Sequence, residues 1–148
     1  MNCTCFGHRE LFLAIKNNLI DILENLIEKY GTDTFMTGGM GESDRLFSEC
    51  IRILKKKYPG IKLILVLPYM TNELNKNKEY YISAFDDIII PEELMGVHYK
   101  AAIEKRNQWM VEQCDVIVDC TYRDFGGAFS AIQYARKNGK TVVSITKK

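Results

Sequence analysis

The feature that most constrains the fold of this chain is a run of five apolar residues, Leu63-Ile64-Leu65-Val66-Leu67, which ends at Pro68. A strand with one face in water alternates apolar and polar residues, and this run shows no such alternation. Uninterrupted apolar runs of this length are typical of strands in parallel sheets that are covered on both faces. The run therefore predicts a parallel β-sheet with helices on each side.

Similar apolar segments alternate along the chain with segments of helical periodicity. In residues 11–30, for example, Leu19, Ile22 and Leu26 share one face at helical spacing, and Gly31 follows as a stop. We predict strands at residues 2–6, 34–37, 63–67, 87–90, 115–120 and 141–145. We predict helices at residues 11–30, 79–85, 101–113 and 128–138, and a helical stripe of apolar residues at 46–54. The connections are too long for hairpins, which favours right-handed crossovers. The expected fold is α/β, a Rossmann-like three-layer α/β/α domain with a mostly parallel sheet of about six strands.

Length and charge limit the function classes. The 148 residues suit one domain, residues 1–148, and 47% of them are hydrophobic. The balance of 20 Lys and Arg against 19 Asp and Glu gives a net charge of +1, which argues against a nucleic-acid partner. We find no uncharged stretch long enough to span a bilayer and no secretion signal at the start. We therefore expect a cytoplasmic protein without a membrane partner.

The five cysteines are an odd number, are scattered, and lie mostly in apolar segments. This pattern predicts buried, reduced thiols that behave as small hydrophobic residues. Cys3 and Cys5 share one face of a strand, but no second Cys or His pair has the spacing of zinc ligands. We expect neither a metal nor a cofactor.

In open α/β sheets, ligands bind beyond the carboxyl ends of the strands, near the point where the strand order reverses. That rule selects the loops at residues 7–9, 38–44, 68–71 and 121–127. The candidate binding residues in these loops are Gly7, His8, Arg9, Gly38, Gly39, Gly41, Asp44, Pro68, Gly126 and Gly127.

Two of the four loops carry glycine pairs that open a helix. Such a loop lets backbone N–H groups and the helix dipole approach a phosphate or a carboxylate. The alternative is that the glycines only permit tight turns. Neither loop is a Walker motif or a complete dinucleotide fingerprint. Arg9 is a candidate for bidentate phosphate binding, or equally a structural partner of Glu10 or Asp44.

Five motifs in this order resemble the SLOG superfamily, in its YpsA-like branch. They are residues 5–9 (CFGHR), the glycine pair ahead of Asp44, residues 57–63 (KYPGIKL) running into residues 67–68, residues 104–111 (EKRNQWMV), and Gly126-Gly127 before residues 134–140 (YARKNGK). The resemblance implies a Rossmann-like domain with a nucleotide-like small-molecule partner, assembled as a homodimer or higher homo-oligomer. It also adds Arg106 and Asn107 to the candidate binding residues. Without it, Arg106 beside Lys105 would be expected on a solvated helix face.

The superfamily includes LONELY GUY phosphoribohydrolases, the DNA-processing protein A that binds single-stranded DNA, and sensors of cyclic ADP-ribose-type signals. The hydrolases carry a catalytic Glu shortly after their glycine motif, whereas Ile132 and Gln133 stand in the corresponding segment here. Gln133 cannot act as a carboxylate, so the cleavage chemistry is expected to be lost. In the first glycine loop, Glu42 would repel a phosphate if it faced the pocket.

The sequence therefore favours a domain that binds a nucleotide-derived small molecule, to sense or sequester it, with little or no catalysis. The glycines would supply backbone contacts, Arg9 and Arg106 the charge, and Asp44 or Asn107 the hydrogen bonds to a sugar. Three alternatives remain open. One is a nucleotide N-glycosidase in which Asp44, Glu104 or Asp119 replaces the missing carboxylate. Another is single-stranded DNA binding on Tyr122, Phe125 and Phe129, and the last is a protein-interaction role with a vestigial pocket.

Overall fold

The computed structural model describes residues 1–8 and 15–145 of the chain. The strands are β1 (Asn2–Gly7), β2 (Thr34–Thr37), β3 (Lys62–Val66), β4 (Asp87–Ile89), β5 (Val116–Cys120) and β6 (Thr141–Ser144). The helices are α1 (Lys16–Tyr30), α2 (Gly41–Lys55), α3 (Asn72–Lys76), α4 (Lys78–Ala84), α5 (Tyr99–Gln113) and α6 (Gly127–Lys137), with a 3₁₀ turn at Glu92–Leu94. None of these helices is long and apolar enough to cross a membrane.

The strands form one sheet in the order β4-β3-β2-β1-β5-β6, and every pairing within it is parallel. The predicted α/β, Rossmann-like architecture with six strands is therefore confirmed. The register brings the strand ends together, since Gly7 pairs with Cys120 across β1 and β5 and Thr37 pairs with Leu65 across β2 and β3.

The two faces of the sheet are covered by different helices, as the run at residues 63–67 predicts. Leu63 of β3 belongs to a core cluster with residues of α1 and α2, whereas its neighbour Ile64 belongs to a cluster with residues of α5 and α6. Successive side chains of a strand point to opposite faces, so an all-apolar strand fills both layers at once.

The cysteines follow the same division between layers. All five are buried and free, which confirms the expectation of buried thiols. Cys3, Cys5, Cys50 and Cys120 lie in the cluster under α1 and α2, and Cys114 lies in the other cluster. The sulfur atoms of Cys5 and Cys120 are 3.2 Å apart, on neighbouring strands.

The boundaries of several elements differ from prediction. Helix α3 was not predicted, because its polar sequence lacks apolar periodicity; the Oγ1 atom of Thr71 starts it by accepting a hydrogen bond from the backbone N–H of Leu74 at 3.1 Å. Helix α5 begins at Tyr99, two residues before the predicted start. The predicted start of the first helix at residues 11–14, and the candidate residue Arg9, lie outside the described residues.

Candidate functional site

The strand order places a switch point between β1 and β5. The chain runs outward from β1 through β2 and β3 to β4, then crosses back to form β5 on the other side of β1. The loops that follow β1 and β5 consequently leave the sheet in diverging directions and open a crevice. Gly7 and His8 stand at one side of this crevice, and residues 121–127 stand at the other.

A cleft of about 410 Å³ occupies this crevice, and we call it the main cleft. Eight of the predicted binding residues line it, and they come from four different segments of the chain: Gly7, His8, Gly38, Asp44, Arg106, Asn107, Gly126 and Gly127. Phe6, Met40, Ile103, Met110, Arg123, Phe125 and Ala128 complete the lining.

The remaining candidates lie elsewhere. Gly39 and Gly41 line a second cleft of about 280 Å³ on the far side of the loop after β2, and we call it the β3-side cleft. Pro68 is buried and lines neither cleft. Glu42 is exposed and also lies outside both linings, so its carboxylate is not part of either one.

The amino end of α6 opens into the main cleft without a capping side chain. Gly126 occupies the N-cap position with a φ of 99° and a ψ of 174°, a conformation that is essentially restricted to glycine. Among the residues that the structure describes, no side chain caps this end, and the first turn contains no acidic residue. The first N–H groups of a helix have no intrahelical partner, and they carry the positive end of the dipole. The end of α6 is therefore suited to an anion.

The amino end of α2 differs because its own side chains compensate it. Glu42 and Asp44 lie in the first turn, and a carboxylate oxygen of Asp44 accepts a hydrogen bond from the backbone N–H of Met40 at 2.8 Å. Negative side chains at this position satisfy the same groups that an external anion would bind. The two glycine loops, which look equivalent in sequence, are thus electrostatically unequal.

Asp44 is partly buried where the two clefts meet, and it lines both of them. Burial raises its pKa from 3.8 to about 6, although the hydrogen bond from Met40 and the nearby positive charge of Arg106 act in the opposite direction. Near neutral pH, Asp44 is therefore a carboxylate that can accept hydrogen bonds from a ligand hydroxyl.

Arg106 is buried, with only 2% of its surface exposed, which corrects the expectation of a solvated helix face. Its guanidinium donates hydrogen bonds to the carbonyl oxygen of Gly38 at 3.1 Å and to that of Val66 at 2.9 Å, at the ends of β2 and β3. Its Nε also donates to the side-chain oxygen of Asn107 at 2.9 Å. Arg106 thus ties helix α5 to two neighbouring strand ends, which accounts for most of its donors.

The lack of a side chain at Gly38 follows from this arrangement. A Cβ atom at Gly38 would stand 2.9 Å from the central carbon of the Arg106 guanidinium. A Cβ atom at Gly7 would similarly overlap the hydroxyl oxygen of Ser43. Both glycines are required by close packing around the cleft, whatever binds there.

His8 connects the two loops of the switch point. It is 7% exposed, and its Nε2 accepts a hydrogen bond from the backbone N–H of Arg123 at 2.8 Å. The ring of Tyr122 packs edge-on against the imidazole, with 4.6 Å between ring centroids. His8 thus positions the loop that carries Arg123 into the main cleft.

Sequence reasoning did not select Arg123 as a binding residue. The available signal was a cation between the end of β5 and the glycine pair at the start of α6. The Arg123 guanidinium lies over two aromatic rings. Its central carbon is 4.9 Å from the centroid of the Tyr122 ring and 5.9 Å from the centroid of the Phe125 ring. Met40 was missed because methionine between glycines carries no chemical signature of a binding role.

A family model described as the YspA SLOG family matches residues 7–140. The chain belongs to this family. The resemblance drawn from its five motifs is thereby confirmed.

One relative of this SLOG chain is the uncharacterized SPbeta prophage-derived protein YoqJ of Bacillus subtilis (strain 168). The two are 31% identical over 140 residues, which cover 84% of this chain and 82% of YoqJ.

Solved structures show the fold that the SLOG chain shares with distant proteins. DNA processing protein A from Helicobacter pylori, whose structure was solved to explain its single-stranded DNA binding mode, superposes with a TM-score of 0.67 at 19% identity. That alignment covers 97% of this chain and 64% of the other. The molybdenum cofactor binding protein of Rippkaea orientalis superposes with a TM-score of 0.60 at 20% identity, covering 97% and 74% of the two chains.

The positions that correspond to the SLOG hydrolase carboxylate lie away from the main cleft. Ile132 is 2% exposed and belongs to the core under α5 and α6, and the exposed Gln133 does not line the main cleft. Of the three proposed substitute carboxylates, Asp44 lines the main cleft, whereas Glu104 and Asp119 do not.

Proposed function

We propose that the main cleft binds a nucleotide-derived small molecule, such as a nucleoside phosphate, an ADP-ribose-type compound or a cyclic nucleotide, and that it senses or sequesters this ligand without cleaving it. The observation that carries the proposal is the uncapped amino end of α6, which opens into the main cleft beside Arg123. A helix end of this kind together with a guanidinium suits a phosphate group.

The other polar groups of the main cleft suit a sugar. The Asp44 carboxylate accepts hydrogen bonds, and the amide nitrogen of Asn107 has no hydrogen-bond partner within the described residues. Together these groups match ribose hydroxyls, which both donate and accept. A volume of about 410 Å³ lies within the range of about 300–1,000 Å³ that small-molecule sites occupy.

The placement of carboxylates supports the proposal that the ligand is not cleaved. Cleavage of an N-glycosidic bond needs a carboxylate that supports departure of the base, and the α6 positions that would supply it hold Ile132 and Gln133. In the described lining of the main cleft, Asp44 is the carboxylate that remains, and it is held by the backbone N–H of Met40. We therefore expect the ligand to be recovered intact.

The proposal is tested by a thermal-shift screen with nucleoside monophosphates, ADP-ribose, cyclic ADP-ribose isomers and cyclic dinucleotides, followed by chromatography of each mixture. A ligand at about 100 times its Kd should add roughly 2.7 kcal/mol, which raises the Tm by several degrees. Recovery of free base would instead support the hydrolase alternative. No increase in Tm with any compound would contradict the proposal.

A steric variant locates the site. A Cβ atom at Gly127 meets no atom of the described residues within 4 Å, so Gly127→Leu should fill the main cleft without disturbing the fold. We expect this variant to lose the ligand-induced increase in Tm. Gly60→Leu is the matched control, because Gly60 is equally unobstructed and lies outside the cleft. An unchanged ligand response in Gly127→Leu would place the ligand elsewhere.

Single-stranded nucleic acid is a second candidate, favoured by one surface feature. Tyr122 and Phe125 are 43% and 64% exposed, and the Arg123 guanidinium lies over both rings. Bases stack on such aromatic and guanidinium surfaces. Fluorescence anisotropy of labelled oligothymidylate between about 50 and 200 mM salt distinguishes the candidates, since single-strand binding weakens strongly across that range.

A further inference from the structure

The β3-side cleft lies between the amino end of α2, the end of β3 and the segment formed by α3 and α4. It shares Gly38, Met40 and Asp44 with the main cleft, so the loop after β2 forms a wall common to both. Its volume of about 280 Å³ falls just below the usual range for a complete small-molecule ligand. This size is suited to part of a ligand.

One wall of the β3-side cleft is aromatic. Tyr80, Tyr81 and Phe85 line it, and the rings of Tyr81 and Phe85 are nearly parallel, with an interplanar angle of 16° and centroids 6.2 Å apart. Tyr80 is 60% exposed, and neither α3 nor α4 contains a fully buried residue. Tyr80 and Tyr81 thus present aromatic surface at the cleft, whereas Phe85 also packs against the core cluster under α1 and α2.

The polar side chains of the β3-side cleft balance in charge. The charged residues of its lining are two cations and two carboxylates: Arg45, Arg52, Asp44 and Glu73. Arg52 is largely engaged, because its Nε donates to the carbonyl oxygen of Ala84 at 3.2 Å and its guanidinium lies 5.2 Å from the centroid of Phe85. Arg45 forms no ion pair within the described part of the chain.

A cleft with two cations and two carboxylates does not select a charged group. It offers hydrogen-bond donors and acceptors beside aromatic rings. A planar, uncharged heterocycle with donors and acceptors on its edge suits this cleft. Its face can stack on the aromatic wall, and its edge can form hydrogen bonds with the polar side chains. A phosphate would gain less here than at the uncapped end of α6.

We propose that the β3-side cleft is a subsite for the planar heterocyclic ring of the ligand whose phosphate and sugar occupy the main cleft, an assignment that rests on the proposed function. The ligand then crosses the loop after β2 at the wall that the two clefts share, which includes Gly38, Met40 and Asp44. The ring stacks against Tyr80 and Tyr81 and bonds through its edge to Arg45 and Glu73.

The test uses the two halves of such a ligand as probes, observed in ¹H–¹⁵N NMR spectra of the full chain. Adenosine, guanosine, cytidine and uridine are the ring probes, and ribose 5-phosphate is the phosphate probe. At least one nucleoside should shift the amide signals of Arg45, Tyr80 and Tyr81. Ribose 5-phosphate should shift those of Gly126, Gly127 and Ala128.

Two matched variants test how much the aromatic wall contributes to nucleoside affinity. Tyr80→Ala should weaken binding of the responding nucleoside at least fivefold, because it removes part of the stacking wall. Tyr99→Ala should leave it unchanged, since Tyr99 is equally exposed, at 61%, and lines neither cleft. Equal affinities in the two variants would overturn the subsite.

The probes separate failure of the subsite from failure of the proposed function. Nucleoside-induced shifts at Phe125 and Gly126 instead of Tyr80 would overturn the subsite and leave the main cleft as a nucleotide site. Nucleoside shifts at Tyr80 with no response of Gly126–Ala128 to ribose 5-phosphate would overturn the phosphate position and hence the two-part ligand. No response to any probe would overturn both proposals.

Discussion

At the scale of single residues, Arg106 and Asp44 decide the shape of the candidate site. Arg106 joins α5 to the ends of β2 and β3 through backbone carbonyl groups, and Asp44 holds the start of α2 through the N–H of Met40. Buried charges of this kind are tolerated only when their hydrogen bonds are satisfied. The contacts of both residues fix the geometry of the loop after β2.

Arg106→Lys is expected to destabilise the protein in the absence of any ligand. A lysine ammonium cannot supply both the Nη1 donors that bond the two carbonyl groups and the Nε donor that bonds the side chain of Asn107. We expect a loss of about 3 kcal/mol in the free energy of unfolding, measured by urea denaturation. Lys105→Ala, at the exposed neighbouring position, should change it by less than about 0.5 kcal/mol. Normal stability with lost ligand affinity would favour the binding role that the family resemblance implies.

Asp44 should make the protein less stable as the pH rises. Its folded pKa of about 6 lies above the ordinary 3.8, so the protonated form favours folding, and this contribution is lost between about pH 4 and pH 6. Each pKa unit corresponds to about 1.36 kcal/mol. Relative to Asp44→Asn, wild-type stability should therefore fall by up to about 3 kcal/mol across that interval.

Urea denaturation of both proteins from pH 4 to pH 7 measures this difference, and the comparison cancels the contributions of other carboxyl groups. The side-chain amide oxygen of the Asp44→Asn variant can still accept the hydrogen bond from the backbone N–H of Met40. If the difference in the free energy of unfolding between the two proteins stayed constant from pH 4 to pH 7, the expected rise in the pKa of Asp44 would be wrong.

At the scale of secondary-structure elements, the starts of α2 and α6 show how similar sequences produce different sites. Each helix follows a glycine pair and a strand of the sheet. Helix α2 carries Glu42 and Asp44 in its first turn, whereas α6 carries neither an acidic residue nor a capping side chain there. The unsatisfied N–H groups that suit an anion are therefore those at the start of α6.

The two glycines of α6 are expected to respond in opposite ways to alanine. Gly126→Ala should cost about 1–3 kcal/mol, because a φ of 99° strains any residue with a Cβ. Gly127→Ala should stabilise the protein by about 0.5 kcal/mol, because its Cβ meets no atom within 4 Å and alanine restricts the unfolded chain. Urea denaturation of both variants checks this. Equal effects would mean that the loop adopts another conformation.

At the scale of the whole molecule, the cysteines report on the cooperativity of folding. They lie in the core clusters on both faces of the sheet. Burial raises the pKa of Cys50 and that of Cys114 to about 12, so very little thiolate, the reactive form, is present at neutral pH.

If residues 1–148 form one cooperative domain, as we predict, all five thiols should react with a disulfide reagent at one rate that follows global unfolding. Mass spectrometry of the labelled protein in increasing urea should show unmodified and fully modified chains. Early modification of Cys114 alone, or of the four thiols under α1 and α2, would indicate that the two layers open separately.

Much of the architecture was predictable because it follows from local periodicity. The unbroken apolar run before Pro68 indicates a strand covered on both faces, and alternation with helical segments indicates a parallel sheet. The loops at the carboxyl ends of the strands follow from topology. The short polar helix α3 was not predictable in this way, since its start depends on a cap at Thr71 and its apolar pattern is absent.

The sequence by itself determined the fold class, the family and the edge of the sheet at which eight candidate residues meet. Only the tertiary structure decided which contacts those residues make. Arg106 bonds to Gly38, 68 positions away, and His8 bonds to Arg123, 115 positions away. Such contacts, and the two clefts on either side of the loop after β2, depend on how distant segments pack together, which no local pattern in the chain encodes.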